Sequence, residues 1–229
     1  MGRENPTSYV ENPAKKIIEY DAKKGLFKWY NKDKGETVYL DLPFRAVWVE
    51  EMCTVGGYNK KTKSRIMGNE TKGVKDDMQA FMFVKIGDEY ERQTIADGPW
   101  ADIKDTVTSN RVGGKFAKYI YAVSDGDNAI LKDGELFKLF VIGCSVSAWF
   151  DKGFNASCGG FAVYETIDKV NGDTEYKEPV FKQEQISSEL NGKAIEADRL
   201  VQSWINQDAS EPELEKPDAP VEDEDDVQF

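Results

Sequence analysis

The chain has 229 residues, with 42 acidic and 30 basic side chains, no histidine and a formal net charge of −12. The absence of histidine excludes Ser–His and Cys–His catalytic pairs and Cys2His2 zinc sites. Residues 208–229 hold ten of the acids and one base, so the preceding 207 residues carry a net charge of only −3. A body this close to neutral can carry a basic face, so a nucleic-acid partner is not excluded.

The amino terminus and the cysteines indicate a cytoplasmic protein with free thiols. Residues 1–6 contain no apolar stretch of the kind that a secretory signal requires. The longest apolar stretch, 136–150, is interrupted by polar residues and is too short to cross a bilayer, so no membrane partner is expected. Cys53, Cys144 and Cys158 are odd in number and lack CxxC spacing. We therefore expect reduced thiols, no metal and no other cofactor.

The first half of the chain is predicted to form strands, with one short helix. The expected elements are a flexible arm over 1–15, strands over 26–30, 37–42, 44–50 and 79–86, and a helix over 99–107. The stretch 55–73 is rich in Gly, Asn, Lys and Thr, which predicts a long exposed loop.

The second half predicts more strands and a closing helix. The expected elements are strands over 115–123, 136–142, 159–168 and 174–181 and a helix over 193–206. Beyond residue 207, prolines among acids cannot bury a core, which predicts a disordered tail over 208–229. The sequence therefore predicts one mainly β domain over 16–207, a small barrel or a sandwich.

Basic side chains are concentrated in the predicted loop, where four cations lie within six residues. Such a run is either a solvated surface loop or a site that neutralises the phosphates of a polyanion. More cations, further along the chain, would join that site if the fold brought them to one face. The candidate phosphate contacts are Lys60, Lys61, Lys63, Arg65, Arg111, Lys115 and Lys118.

Aromatic side chains are interleaved with these cations. Adjacent residues of a strand point to opposite faces, and residues two apart share a face. Most aromatic rings are expected in the core, whereas a minority beside lysines would stack on unpaired bases. The candidate stacking residues are Trp29, Tyr30, Phe81, Phe83, Tyr119 and Tyr121.

No complete catalytic motif is present. Residues 113–115, Gly-Gly-Lys, lack the first glycine of a phosphate-binding loop, and Phe116 stands where Ser or Thr is needed. The turn 125–128 begins like a calcium loop, but Ala129 and Ile130 interrupt its ligand pattern. The sequence therefore favours a non-enzymatic protein. Scattered carboxylates leave a metal-dependent nuclease as an open alternative.

The last eight residues carry five carboxylates followed by Val-Gln-Phe. This acidic, Phe-terminated tip resembles that of single-stranded DNA-binding proteins of bacteria and their phages. Bacterial members end in several aspartates, an Ile-Pro pair and Phe, and Gln228 stands here in place of that Pro. The segment 27–58 also looks like tailed-phage replication proteins of this type.

The resemblance implies an OB-fold-like small barrel with elaborations, which binds unpaired DNA without sequence choice in phage replication, recombination and repair. The location implied is the cytoplasm of the host bacterium. The tail would compete with DNA for the basic groove and recruit replication or recombination proteins through Asp223, Glu224, Asp225, Asp226, Val227 and Phe229. The alternative is a non-enzymatic interaction protein whose acidic tail mimics DNA or inhibits a nucleic-acid enzyme.

Overall fold

The structure, a computed structural model, describes residues 11–87, 89–152 and 159–206. Most of these residues are in strands. The elements are β1 (Ile17–Asp21), β2 (Leu26–Asn31), β3 (Glu36–Leu40), β4 (Phe44–Asn59), β5 (Ser64–Gly68), β6 (Met78–Ile86), β7 (Glu89–Gly98), α1 (Trp100–Thr108), β8 (Gly114–Ser124), β9 (Leu136–Ile142), α2 (Cys144–Phe150), β10 (Gly160–Asn171), β11 (Thr174–Glu184) and α3 (Ser188–Ile205). No helix in the described ranges is long and apolar enough to cross a membrane. Cys158 and the tail lie outside those ranges.

The eleven strands of the described ranges all belong to one sheet. Its main path runs β3-β2-β1-β9-β8-β4-β5-β6-β7, while β10 pairs with the start of β4 and β11 pairs with β10. The pairing of β1 with β9 is parallel, and the other pairs between these strands are antiparallel. The prediction of a mainly β body that ends in a helix is therefore confirmed.

Apolar side chains cover both faces of the central strands β4, β8 and β9. Along β8, Ile120 packs into the larger core with Phe27 and Trp149, whereas the next residue, Tyr121, packs on the opposite face beneath α3. This alternation follows from the two-residue repeat of a strand. α3 begins five residues earlier than predicted because the Ser187 hydroxyl accepts a hydrogen bond from the first-turn N–H of Leu190 at 3.1 Å.

The prediction of a long exposed loop over 55–73 is wrong. β4 continues as a strand to Asn59, and β5 pairs with its end in the antiparallel direction. A Cβ on Gly56 would lie 2.6 Å from Cζ of Phe140, and one on Gly57 would lie 2.7 Å from the Gly113 carbonyl oxygen. These glycines therefore mark close packing inside a strand, although glycine in a sequence indicates a turn or loop.

Besides β5, three elements are missing from the sequence prediction, namely β1, β7 and α2. β7 is polar and largely exposed along its length, so it lacks the alternation that reveals a strand. α2 lies in a continuous apolar stretch that gives no helical period. Part of the predicted arm packs on the body: Asn12 Nδ2 donates to Tyr121 Oη at 2.9 Å, and Ala14 is buried.

Candidate nucleic-acid interface

The hairpin between β4 and β5 carries three exposed lysines at its tip, Lys60, Lys61 and Lys63. Asn59 shapes this turn, because its Oδ1 accepts the backbone N–H of Lys61 at 2.9 Å. The same side chain donates from Nδ2 to the carbonyl oxygen of Arg111 at 3.0 Å. The fold thus brings Arg111 to the three lysines, and these four residues are called the basic tip.

The segment that carries Arg111 lies flat on β4. A Cβ on Gly113, whose φ is 83°, would lie 2.9 Å from the carbonyl oxygen of Tyr58. Only glycine permits both this backbone conformation and this close approach. Tyr58, two residues before Lys60 in the chain, is 38% exposed, and sequence reasoning did not select it.

Arg65 does not join the basic tip, although it is only two residues from Lys63. Its guanidinium forms a salt bridge with Glu19 of β1. Glu19 is in register with Phe140, whose ring lies 5.0 Å from that of Tyr119. The positive charge of Arg65 is therefore already paired with the Glu19 carboxylate, which makes Arg65 a weaker candidate for a phosphate contact than the lysines of the basic tip.

Lys118 points into the interior rather than to the surface. Its side chain is 9% exposed and forms a salt bridge of 2.5 Å with Glu51. Its Nζ also lies 4.7 Å from the ring centroid of Phe150. Lys115 is partly buried at the start of β8, where desolvation lowers the pKa of its ammonium group. Of these two lysines, only Lys115 is placed to meet a ligand.

Tyr119 and Tyr121 belong to an internal polar network. Tyr121 is fully buried, and its Oη donates to Glu70 Oε2 at 2.7 Å. Glu70 also forms a salt bridge of 2.8 Å with Lys138, whose Nζ lies 4.5 Å from the ring centroid of Tyr119. Burial and the negative charge of Glu70 raise the pKa of Tyr121 above its usual range. Tyr121 is therefore closed to a ligand, and the partly buried ring of Tyr119 already contacts Lys138 and Phe140.

The other four predicted stacking residues divide between core and surface. Trp29 packs against the larger core, while its neighbour Tyr30 is 39% exposed, which confirms the prediction that they face opposite sides. Phe81 is buried and its ring meets that of Phe83 edge-on at 6.0 Å. The guanidinium of Arg92 covers the Phe81 ring at 4.1 Å. Of the four, Tyr30 is the most open to solvent.

Three aromatic residues that sequence reasoning did not select are in ring contact at the start of β8. We call them the aromatic cluster: Trp100, Phe116 and Phe150. Phe150, at the end of α2, is 56% exposed and stacks on Phe116 at 6.3 Å with an interplanar angle of 24°. The Nζ of Lys152 lies 4.6 Å from the Trp149 ring centroid. The change at residue 151 from an apolar run to Asp-Lys-Gly was the one sequence signal for a surface ring there.

A cleft of about 340 Å³ opens between the start of β8, α2 and the β10–β11 hairpin. Its walls are formed by Lys115, Phe116, Gly143, Cys144, Val146, Ser147, Asn171, Tyr176 and Glu178. Burial and the carboxylate of Glu178 raise the pKa of the Cys144 thiol to about 11, against the opposing effect of Lys115. Cys144 therefore lies within electrostatic reach of a cation and of a carboxylate.

The raised pKa of Cys144 predicts slow alkylation. The shift from 9.0 to about 11 reduces its thiolate fraction at neutral to mildly alkaline pH by about a hundredfold, and the thiolate is the reactive form. At pH ~8, iodoacetamide should therefore modify Cys144 at least about tenfold more slowly than a small-molecule thiol of ordinary pKa, because the greater nucleophilicity of a high-pKa thiolate offsets only part of its lower abundance. Peptide mass spectrometry after timed quenching measures the rate. Alkylation as fast as that of the free thiol would contradict this description of the cleft.

No group of three or more His, Cys, Asp or Glu side chains in the described ranges is arranged to hold a metal ion. The expectation of no metal and no other cofactor stays a prediction. No protein-family model, curated protein sequence or solved structure matches this chain.

Proposed function

We propose that this chain is a sequence-independent single-stranded DNA-binding protein without enzymatic activity. The observation that carries the proposal is the placement of the basic tip, Lys115 and the exposed ring of Phe150 around the first residues of β8. Cations neutralise backbone phosphates, and an exposed ring stacks on an unpaired base of any sequence. This is the combination that a flexible single strand needs and a stacked duplex cannot use.

The distances along the strands support one continuous interface. Gly114, the first residue of β8, is in register with Gly57, two residues before the end of β4 and the basic tip. Phe116 lies two residues further along β8, which is about 7 Å of extended chain. Phosphate contacts at the basic tip and a base on Phe150 are thus separated by a distance that a few nucleotides span.

An OB-fold-like barrel is the architecture proposed for the body. In support, β1, β9, β8, β4, β10 and β11 are successive neighbours, and β11 returns to the β1–β2 turn. The Lys177 N–H donates to the Ala22 carbonyl oxygen at 2.8 Å, and Tyr20 Oη donates to the Lys177 carbonyl oxygen at 3.0 Å. β5, β6, β7 and α3 would then be elaborations on a nearly closed small barrel.

The acidic tail is proposed to act in two ways, on the basis of its sequence. Residues 208–229, with a net charge of −9, would compete with DNA for the basic tip. When DNA displaces the tail, Phe229 and the preceding carboxylates would recruit replication, recombination or repair proteins. The setting proposed is a phage-encoded protein in the host cytoplasm.

The direct test is fluorescence anisotropy with a labelled dT oligonucleotide and a matched duplex, at several salt concentrations. Intact protein and a variant that ends at residue 207 are compared. We expect tighter binding to the single strand, stronger binding at low salt, and a gain in affinity on truncation. A DNA mimic or inhibitor would bind neither oligonucleotide, even without the tail, and that result would contradict the proposal.

Phe150→Ala should weaken single-strand binding by about 1–3 kcal/mol, because it removes one stacking surface. Phe150→Tyr keeps the ring face and should bind like the wild type. Thermal unfolding of both variants should stay close to that of the wild type, since more than half of the Phe150 side chain is in water. Equal affinity of the Ala and Tyr variants would remove Phe150 from the interface.

A further inference from the structure

The cleft is adjacent to the proposed stacking residue. Ser147 lines the cleft, and Phe150 lies three residues later on the same short helix, so the two side chains share one exposed face of α2. Phe116 belongs to both, because it lines the cleft and stacks beneath Phe150. A strand that stacks one base on Phe150 therefore has the cleft open to its neighbouring base.

The cleft has a cation on one wall and a carboxylate on the other. Lys115 lies on the β8 wall, with its Nζ 4.0 Å from the position that a Cβ on Gly143 would occupy. Glu178 lies on the β11 wall, and both groups influence the Cys144 thiol electrostatically. A ligand with an anionic end and a hydrogen-bond donor at the other end suits this polarity. A nucleotide has its phosphate at one end and the edge of its base at the other.

The carboxylate of Glu178 distinguishes between bases because, when ionised, it only accepts hydrogen bonds. Cytosine, adenine and guanine each present an exocyclic amino group that donates. Thymine presents one ring N–H between two carbonyl oxygens, which the carboxylate repels. Lys169 forms a salt bridge of 3.6 Å with Oε1 of Glu178, whose side chain is 24% exposed and lines the cleft.

We propose that the cleft holds one base of the bound strand and favours a base with an amino group, which donates to Glu178 while the adjacent phosphate meets Lys115. This inference rests on the proposed single-strand binding and adds a base preference at one position of the site. The remaining positions read only phosphate and ring faces. The volume of about 340 Å³ falls within the range of small-molecule sites, so one base with its sugar fits.

The test compares dissociation constants for labelled dC and dT oligonucleotides of equal length at mildly alkaline pH. Wild type, Glu178→Gln and Glu175→Gln are measured. Glu175 is on the same hairpin but exposed on its opposite face, so it is the matched control. Because a glutamine amide donates as well as accepts, Glu178→Gln should reduce the preference for dC over dT about tenfold relative to the wild type, while Glu175→Gln leaves it unchanged. Taking the ratio cancels the difference in flexibility between the two strands.

A second measurement uses the unaltered protein and does not depend on a variant. Bound dC should slow the alkylation of Cys144 by iodoacetamide more than bound dT does at equal saturation. Equal protection by the two strands, or an unchanged ratio in Glu178→Gln, overturns the cleft assignment and leaves single-strand binding intact. If the wild type binds neither strand, the proposed function fails and the inference fails with it.

Discussion

Replacement of all four cations of the basic tip by glutamine should weaken single-strand binding by about a thousandfold near ~50 mM salt. The tip residues are exposed, and the described part of the chain places no carboxylate in a salt bridge with Lys60, Lys61, Lys63 or Arg111. Each phosphate that loses its cation on a single strand reduces the salt slope of log K by about 0.7, so the slope should fall by about 3. The loss should shrink as salt rises. Anisotropy titrations at four or five salt concentrations measure both quantities.

The control for this variant removes the same number of positive charges elsewhere. The four exposed lysines chosen are Lys32, Lys34, Lys85 and Lys132. They lie in or beside the β2–β3 and β6–β7 turns and the β8–β9 connection, away from the start of β8. Their replacement by glutamine should change affinity by only a few fold through net charge. An equal loss in both variants would show that binding depends on total charge and not on the basic tip.

Glu70→Ala should destabilise the fold by about 3–5 kcal/mol, because it leaves a buried lysine without its counter-ion. The side chain of Lys138 is 9% exposed and that of Glu70 is 13% exposed, so water cannot replace the lost carboxylate. The substitution also removes the acceptor of the Tyr121 hydroxyl. Urea unfolding followed by tryptophan fluorescence measures the change in the free energy of unfolding.

Two further variants distinguish this explanation from a simple loss of side-chain volume. Glu70→Ala combined with Lys138→Met removes both charges and should recover much of the lost stability. Glu19→Gln breaks the more exposed salt bridge to Arg65 and should cost less than about 1 kcal/mol. If the double variant is as unstable as Glu70→Ala alone, the unpaired charge of Lys138 is not the cause.

The class of the fold was accessible from the sequence because strand alternation depends only on neighbouring residues. Ile120 and Tyr121 enter different cores of the sheet, and Trp29 and Tyr30 face opposite sides, as the two-residue repeat predicts. Where that repeat is weak, as in the polar strand β7, prediction from sequence failed. It also failed at Gly56, whose role depends on a ring of a distant strand.

The candidate site was only partly predictable. Three lysines of the basic tip were selected because they lie close together in the sequence. Arg111 was grouped with them on the assumption that the fold would bring it near, and the hydrogen bond from Asn59 to its carbonyl oxygen does so. Lys118 and Tyr121 were equally plausible by composition, but both are buried with carboxylate partners. Phe150 was passed over because it ends an apolar run.

The sequence by itself determined the charge distribution, the absence of histidine chemistry, the mainly β class and the acidic, Phe-terminated tail. These properties depend on composition and on short-range periodicity. Only the tertiary structure decided which cations lie at the surface, because the two lysines that are buried in the described ranges, Lys118 and Lys138, each meet a carboxylate more than sixty residues away in the sequence. It also decided that the cleft and the aromatic cluster share Phe116, and that the end of β4, which carries the basic tip, pairs with the first residues of β8.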